Sequence, residues 1–186
     1  MDVEIMSYHL SIIDVLKACF FPLNTMLIVA TIIIILAIIN AGKRAYRDRG
    51  TPMFPRSIIV FLILLAVPMF LVGWEIGSGW QLKSDELLLK APPSNVSINL
   101  KLTRMALVSA SSQWASESKA NGIAIPGITT GSFTLKNGKN AVVFSYLQTS
   151  EMIVLESEGS YYIINYPGVH KLYDELTSRG VKVGVD

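Results

Sequence analysis

Few side chains in this 186-residue chain are of the kinds that do chemistry, and their spacing does not gather them. His9 and His170 are the only histidines and Cys19 the only cysteine. A structural zinc set, a Cys-x-x-Cys redox pair and an internal disulfide are therefore excluded. Nucleophilic catalysis would need a hydroxyl or thiol beside a base, yet there is no Gly-x-Ser-x-Gly elbow, no His-Glu-x-x-His pair and no phosphate-cradling loop. Glu156 with Glu158, and Asp174 with Glu175, have the right type for acid–base work, but nothing local places either pair in a cleft, and they read as solvated. Gly77-Ser78-Gly79 reads as a flexible joint, and Asn95-Val96-Ser97 as a strand edge. No catalytic residue, cofactor or metal ligand is expected, and the chain does not read as an enzyme. Residues 109–131 form the longest stretch without a strand or helix pattern. Because loops carry recognition more often than strands do, Trp114, Lys119 and Asn121 are its candidate recognition residues.

The elements that would carry such a loop divide into two regimes. With 51% hydrophobic and 16% charged residues, the composition is too apolar for an average water-soluble domain. The net charge of +2 supplies no domain-wide positive field, so nucleic acid is not an expected partner. Residues 18–42 contain no charge and residues 57–74 contain none either. Runs of about 20 apolar residues are long enough to cross a bilayer as helices. The expectation is two transmembrane helices, at 18–40 and 57–77, with the lipid bilayer as partner. The loop between them, 41–56, holds Lys43, Arg44, Arg47, Arg49 and Arg56 against Asp48 alone, which predicts that it stays cytoplasmic and sets the topology. The N-terminus and C-terminal domain would then be extracytoplasmic. Trp74 and Trp80 are expected at the membrane interface. An acidic N-terminal segment argues against a cleaved signal peptide. Ile5, Tyr8, Ile12 and Leu16 predict a helical stripe within an amphipathic segment, 1–17.

Residues 78–180 read as a β domain. Short segments rich in Val, Ile, Tyr and Phe alternate with turn residues. Asn137-Gly138 predicts a tight hairpin between segments ending at Leu135 and resuming at Ala141. A second hairpin is expected around Gly159. Val169, Leu172, Tyr173 and Leu176 form a closing helical stripe with Gly180 as its stop, followed by a tail, 181–186.

Strand hairpins followed by one amphipathic helix resemble the pleckstrin-homology-like superfold. Gly122-Ile123-Ala124-Ile125-Pro126-Gly127, Gly131-Ser132-Phe133-Thr134-Leu135-Lys136-Asn137-Gly138 and Tyr161-Tyr162-Ile163-Ile164-Asn165-Tyr166-Pro167 resemble a bacterial pleckstrin-homology-like family of membrane proteins, over residues 75–178. The resemblance implies a membrane-anchored α+β protein of a bacterial inner or plasma membrane. About seven strands would form two near-orthogonal, mainly antiparallel sheets, closed by the C-terminal helix. It also implies a non-enzymatic binding or scaffolding module for a protein or envelope ligand. Lys83 is followed by Ser84, Asp85 and Glu86, so phosphoinositide binding is not implied. Two other readings stand beside it: an accessory subunit of a membrane transporter or membrane enzyme, and a membrane-anchored hydrolase.

Overall fold

The computed structural model describes residues 6–20, 25–125 and 127–185. Ile5, Pro126 and the ends of the expected N-terminal segment and tail lie outside the described residues. The elements are β1 (Met6–His9), α1 (Ile12–Phe20), α2 (Thr25–Arg47), α3 (Phe54–Glu75), β2 (Gly79–Leu82), β3 (Glu86–Ala91), β4 (Ser94–Asn99) and β5 (Thr103–Ser109). They continue with β6 (Ser116–Ile125), β7 (Ile128–Leu135), β8 (Asn140–Tyr146), β9 (Glu151–Ser157), β10 (Ser160–Asn165), α4 (Val169–Ser178) and β11 (Lys182–Val183). A four-stranded antiparallel sheet runs β1-β2-β3-β4, and a seven-stranded sheet runs β11-β5-β9-β10-β8-β7-β6.

The main core follows from strand alternation. In β3, Leu87, Leu89 and Ala91 are buried while Glu86 and Lys90 face water. They pack with Trp80, Leu82 and Ile98 of the same sheet against Met105, Phe144, Ile153, Leu155 and Ile164 of the other, and against Leu172 and Leu176 of α4. The helix α4 could not persist alone at ten residues; its buried stripe holds it on the sheets. Both expected hairpins form. Gly138 at φ +79° turns β7 into β8, and Glu158-Gly159 turns β9 into β10.

The expected pleckstrin-homology-like fold class is corrected. Eleven strands are present among the described residues, in sheets of four and seven, and two pairs are parallel, β10 with β8 and β11 with β5. The first parallel pair arises because the connection 147–150 skips one strand position, leaving a slot between β8 and β9 that β10 fills on its return. The supposed loop at 109–131 is mostly β6 and β7. Its strand character was hidden because β6 is an exposed sheet edge, polar along most of its length and broken by register shifts.

The N-terminal segment is also corrected. Met6–His9 is a strand, paired in register with β2, so that Tyr8 opposes Trp80 and His9 opposes Gly79. Gly79 is required there: a Cβ would fall 1.9 Å from the Tyr8 carbonyl oxygen. The helix α1 begins at a Ser11–Asp14 capping box, in which the Asp14 amide donates to Ser11 Oγ and the Ser11 amide donates to the Asp14 carboxylate. Its Val15 and Ala18 are buried in the main core.

The two-span reading, and with it the transmembrane character and inner-membrane localisation, is corrected as well. Among the described residues no helix is long and apolar enough to cross a membrane. The run at 18–42 is not one unit: Ala18 belongs to α1 and to the domain core, and a separate helix starts at Thr25. The last residue of α3, Glu75, is fully buried in the domain. What the two long helices form is an antiparallel pair, joined at 48–53, with Ile32, Ile33, Leu36, Ile59, Leu62 and Ile63 exposed.

Candidate functional site

The seven-stranded sheet has a second face, turned away from the main core. Directly opposed residues share a face, so Val154, Ile163, Val143 and Gly131 form one row across β9, β10, β8 and β7. Asn165, Ser145 and Thr129 form the next row of that orientation. This face must be concave. β5 and β6 lie five strand spacings apart, roughly 24 Å in a flat sheet. The connection between them, 110–115, contains two turns, closed by Ser112 N–H to Ser109 O and Ala115 N–H to Ser112 O. A segment so folded falls well short of its extended reach of roughly 23 Å, and the sheet curls to let it cross.

The crossing segment covers one half of the concave face. Trp114, 5% exposed, packs with Phe133, Leu135, Ala141 and Val154 into a second core. The Lys139 ammonium lies 5.0 Å from the Trp114 ring centre and 4.4 Å from that of Tyr161, and donates to the Tyr161 hydroxyl at 2.8 Å.

The other half stays open as a cavity of about 340 Å³. Val143, Met152 and Ile163 line its apolar part. Around them stand Ser116, Thr129, Ser145, Gln148 and Asn165, and no ionisable side chain is among the lining residues. Asn165 is committed to structure: its Oδ1 accepts from the Thr149 amide at 2.8 Å, and its Nδ2 donates to Thr149 O at 3.3 Å and Glu151 O at 3.1 Å. A shallower recess with Ser109, Ser111 and Ser150 continues from the same rim. Chemically the arrangement can desolvate an apolar group and offer neutral donors and acceptors to its polar edge. It holds no base next to a hydroxyl.

Of the sequence-derived candidates, Trp114 stands beside this cavity as part of the second core rather than as an open recognition residue. Lys119 and Asn121 are exposed on β6 and do not line it. The floor and rim residues were missed because they are scattered, one or two at a time, over β6 to β10 and the connection 147–150. The one local sign was the polar row position, a Ser, Thr or Asn at the end of each of three strands. Trp80, expected at an interface, is 1% exposed in the main core, its ring 5.7 Å from that of Tyr166. Trp74 is exposed beside Phe70 at 5.2 Å. Lys43, Arg44, Arg47, Arg49 and Arg56 all lie at or near the turn between α2 and α3.

The titratable groups lie elsewhere. His170 Nε2 sits 2.8 Å from the Glu151 carboxylate on an exposed surface. Desolvation, then the Lys90 charge, lowers the His9 pKa. Burial raises that of Glu75, and accepted hydrogen bonds from Thr130 and Ser78 offset it in part. Among the described residues no group of His, Cys, Asp and Glu is placed to hold a metal ion. No family model, curated protein or solved structure matches this chain.

Proposed function

We propose that this protein is a non-enzymatic binding module whose concave sheet face receives an uncharged ligand combining an apolar group with hydrogen-bonding edges. The observation that carries this reading is the neutral cavity itself. Its apolar floor of Val143, Met152 and Ile163 favours a desolvated group. Among the described residues the side chains of Thr129, Ser145 and Gln148 make no hydrogen bond within the protein, so their donors and acceptors stand open to a ligand. A charged ligand would lose hydration there and meet no counter-charge among the cavity's own lining residues, Lys136 standing only in the adjoining recess.

The probe is N-acetyl-leucine methylamide, followed by amide chemical shifts of the full chain. Saturable shifts at Thr129, Ser145 and Gln148, lost in Ser145→Phe, support the reading. Shifts that survive Ser145→Phe, or none at all at millimolar probe, reject it.

A second reading, an accessory subunit of a larger assembly, draws on the exposed isoleucines of α2 and α3. Helices apolar on so much of their surface are normally covered. Copurification of a stoichiometric partner that is lost on Ile33→Asp would support it.

A further inference from the structure

We propose that the cleft between α2 and α3, beside their connecting turn, binds a phosphoester oxyanion that carries a small apolar group. This site is separate from the concave sheet face and does not depend on it. The cleft has a volume of about 350 Å³. Arg44 and Arg56 line it from opposite helices with Asn40, while Ala37, Ala41 and Val60 supply apolar wall.

Of the two charges in this cleft, the Arg56 side chain has no partner among the described residues, and Arg44 has only a long, exposed ion pair with Asp48. Arg44 Nε lies 3.9 Å from Asp48 Oδ2, beyond hydrogen-bond distance, and its side chain is 71% exposed. The same Asp48 oxygen, from the single acidic group of the turn, also accepts from the Ser57 hydroxyl. Lys43, Arg47 and Arg49 belong to the same basic stretch but do not line the cleft. Arg56 also stands in the first turn of α3, a 22-residue helix whose N-terminal dipole has the same sign.

The shape of the donors selects the anion. Two guanidinium forks approaching from different helices call for acceptors on more than one side of the ligand. A tetrahedral phosphoester offers them, whereas a planar carboxylate satisfies one fork. The alanines and Val60 leave room for the ester's carbon substituent, which inorganic phosphate lacks. The ester could come from a soluble metabolite or from a lipid headgroup, and the chemistry read by the arginines is the same.

The full chain is titrated at low ionic strength with phenyl phosphate and inorganic phosphate. In parallel it is sedimented with vesicles of phosphatidylcholine alone and of equal parts phosphatidylcholine and phosphatidic acid. Phenyl phosphate is expected to bind more tightly than inorganic phosphate. Arg56→Gln should weaken it by about tenfold, the loss of one charge-assisted hydrogen-bonding group. Lys43→Gln removes the same charge outside the cleft and should change it little. A soluble ester as natural source is indicated when phosphatidic acid adds nothing to vesicle binding. A lipid source is indicated when it adds binding that Arg44→Gln/Arg56→Gln removes. The proposal is overturned when neither phenyl phosphate nor phosphatidic-acid vesicles bind, when the double variant binds both as the parent does, or when Lys43→Gln costs as much as Arg56→Gln. Both arginine side chains are exposed, so the variants keep the fold, and an unchanged unfolding midpoint verifies it.

Discussion

Thr130 Oγ1 donates a hydrogen bond of 2.8 Å to Glu75 Oε1, and both residues are fully buried. The contact ties the end of the helix pair to the seven-stranded sheet, and Ser78 Oγ donates to the other carboxylate oxygen at 3.1 Å. Burial outweighs these two bonds and holds the Glu75 pKa above its ordinary 4.5. The folded protein therefore keeps this proton at pH values where the unfolded chain has released it. The Glu75 contribution is fully present below pH 4.5 and is lost as pH rises through the folded-state pKa. Glu75→Gln should flatten that pH dependence in chemical denaturation at several pH values. Glu75→Ala, which strands both hydroxyls, should cost about 2–3 kcal/mol.

Gly127 and Gly138 have nearly the same backbone, at φ +78° and +79°. A Cβ on Gly138 meets nothing within 4 Å, whereas one on Gly127 falls 2.7 Å from the Ala18 carbonyl oxygen. Gly138→Ala should cost about 1 kcal/mol, the left-handed backbone alone. Gly127→Ala should cost clearly more, because α1 must shift from the sheet. Equal urea midpoints for the two variants would show that α1 does not press on this turn.

Asn165 and Thr149 pair through both faces of one amide, which satisfies the connection that skips a strand position. Asn165→Asp keeps the acceptor for the Thr149 amide but turns an oxygen toward the carbonyls of Thr149 and Glu151. The expected loss is about 2–3 kcal/mol at neutral pH. It should be partly recovered in acid relative to the parent, where the introduced carboxyl carries a proton to donate. Thermal unfolding of both proteins across pH reads this directly.

Trp114 covers the second core, so Trp114→Ala should destabilise by about 3–5 kcal/mol. Trp114→Phe, which keeps a ring beneath Lys139, should cost less than half of that. A change in ligand affinity at the neutral cavity without loss of stability would instead assign the side chain a direct recognition role.

Much of the fold was legible where local signals were strong. Asn137-Gly138 can adopt the positive φ of a tight turn, and the stripe at Val169, Leu172 and Leu176 has helix period. The strand β6 was not legible, since an edge paired on one side needs no apolar alternation. Met6–His9 was misread because alternation over four residues is easily absorbed into a longer helical pattern, and only pairing with β2 decides between them. The long apolar runs were read as two crossings from their lack of charge. Charge alone does not reveal that Val15 and Ala18 are spent in the domain core or that Glu75 is buried against Thr130.

By itself the amino-acid sequence determined the two regimes of composition, both hairpin turns, the closing helix, the basic turn between the long helices and the lack of a catalytic motif. All of these are written within a few consecutive residues. Only the tertiary structure decided the sheet order, the parallel pairing of β10 with β8, the concave face and its neutral cavity, and the placement of Arg44 and Arg56 on one cleft. Each of those joins residues far apart in the chain, and its energy comes from surfaces that exist only once the strands and helices have packed.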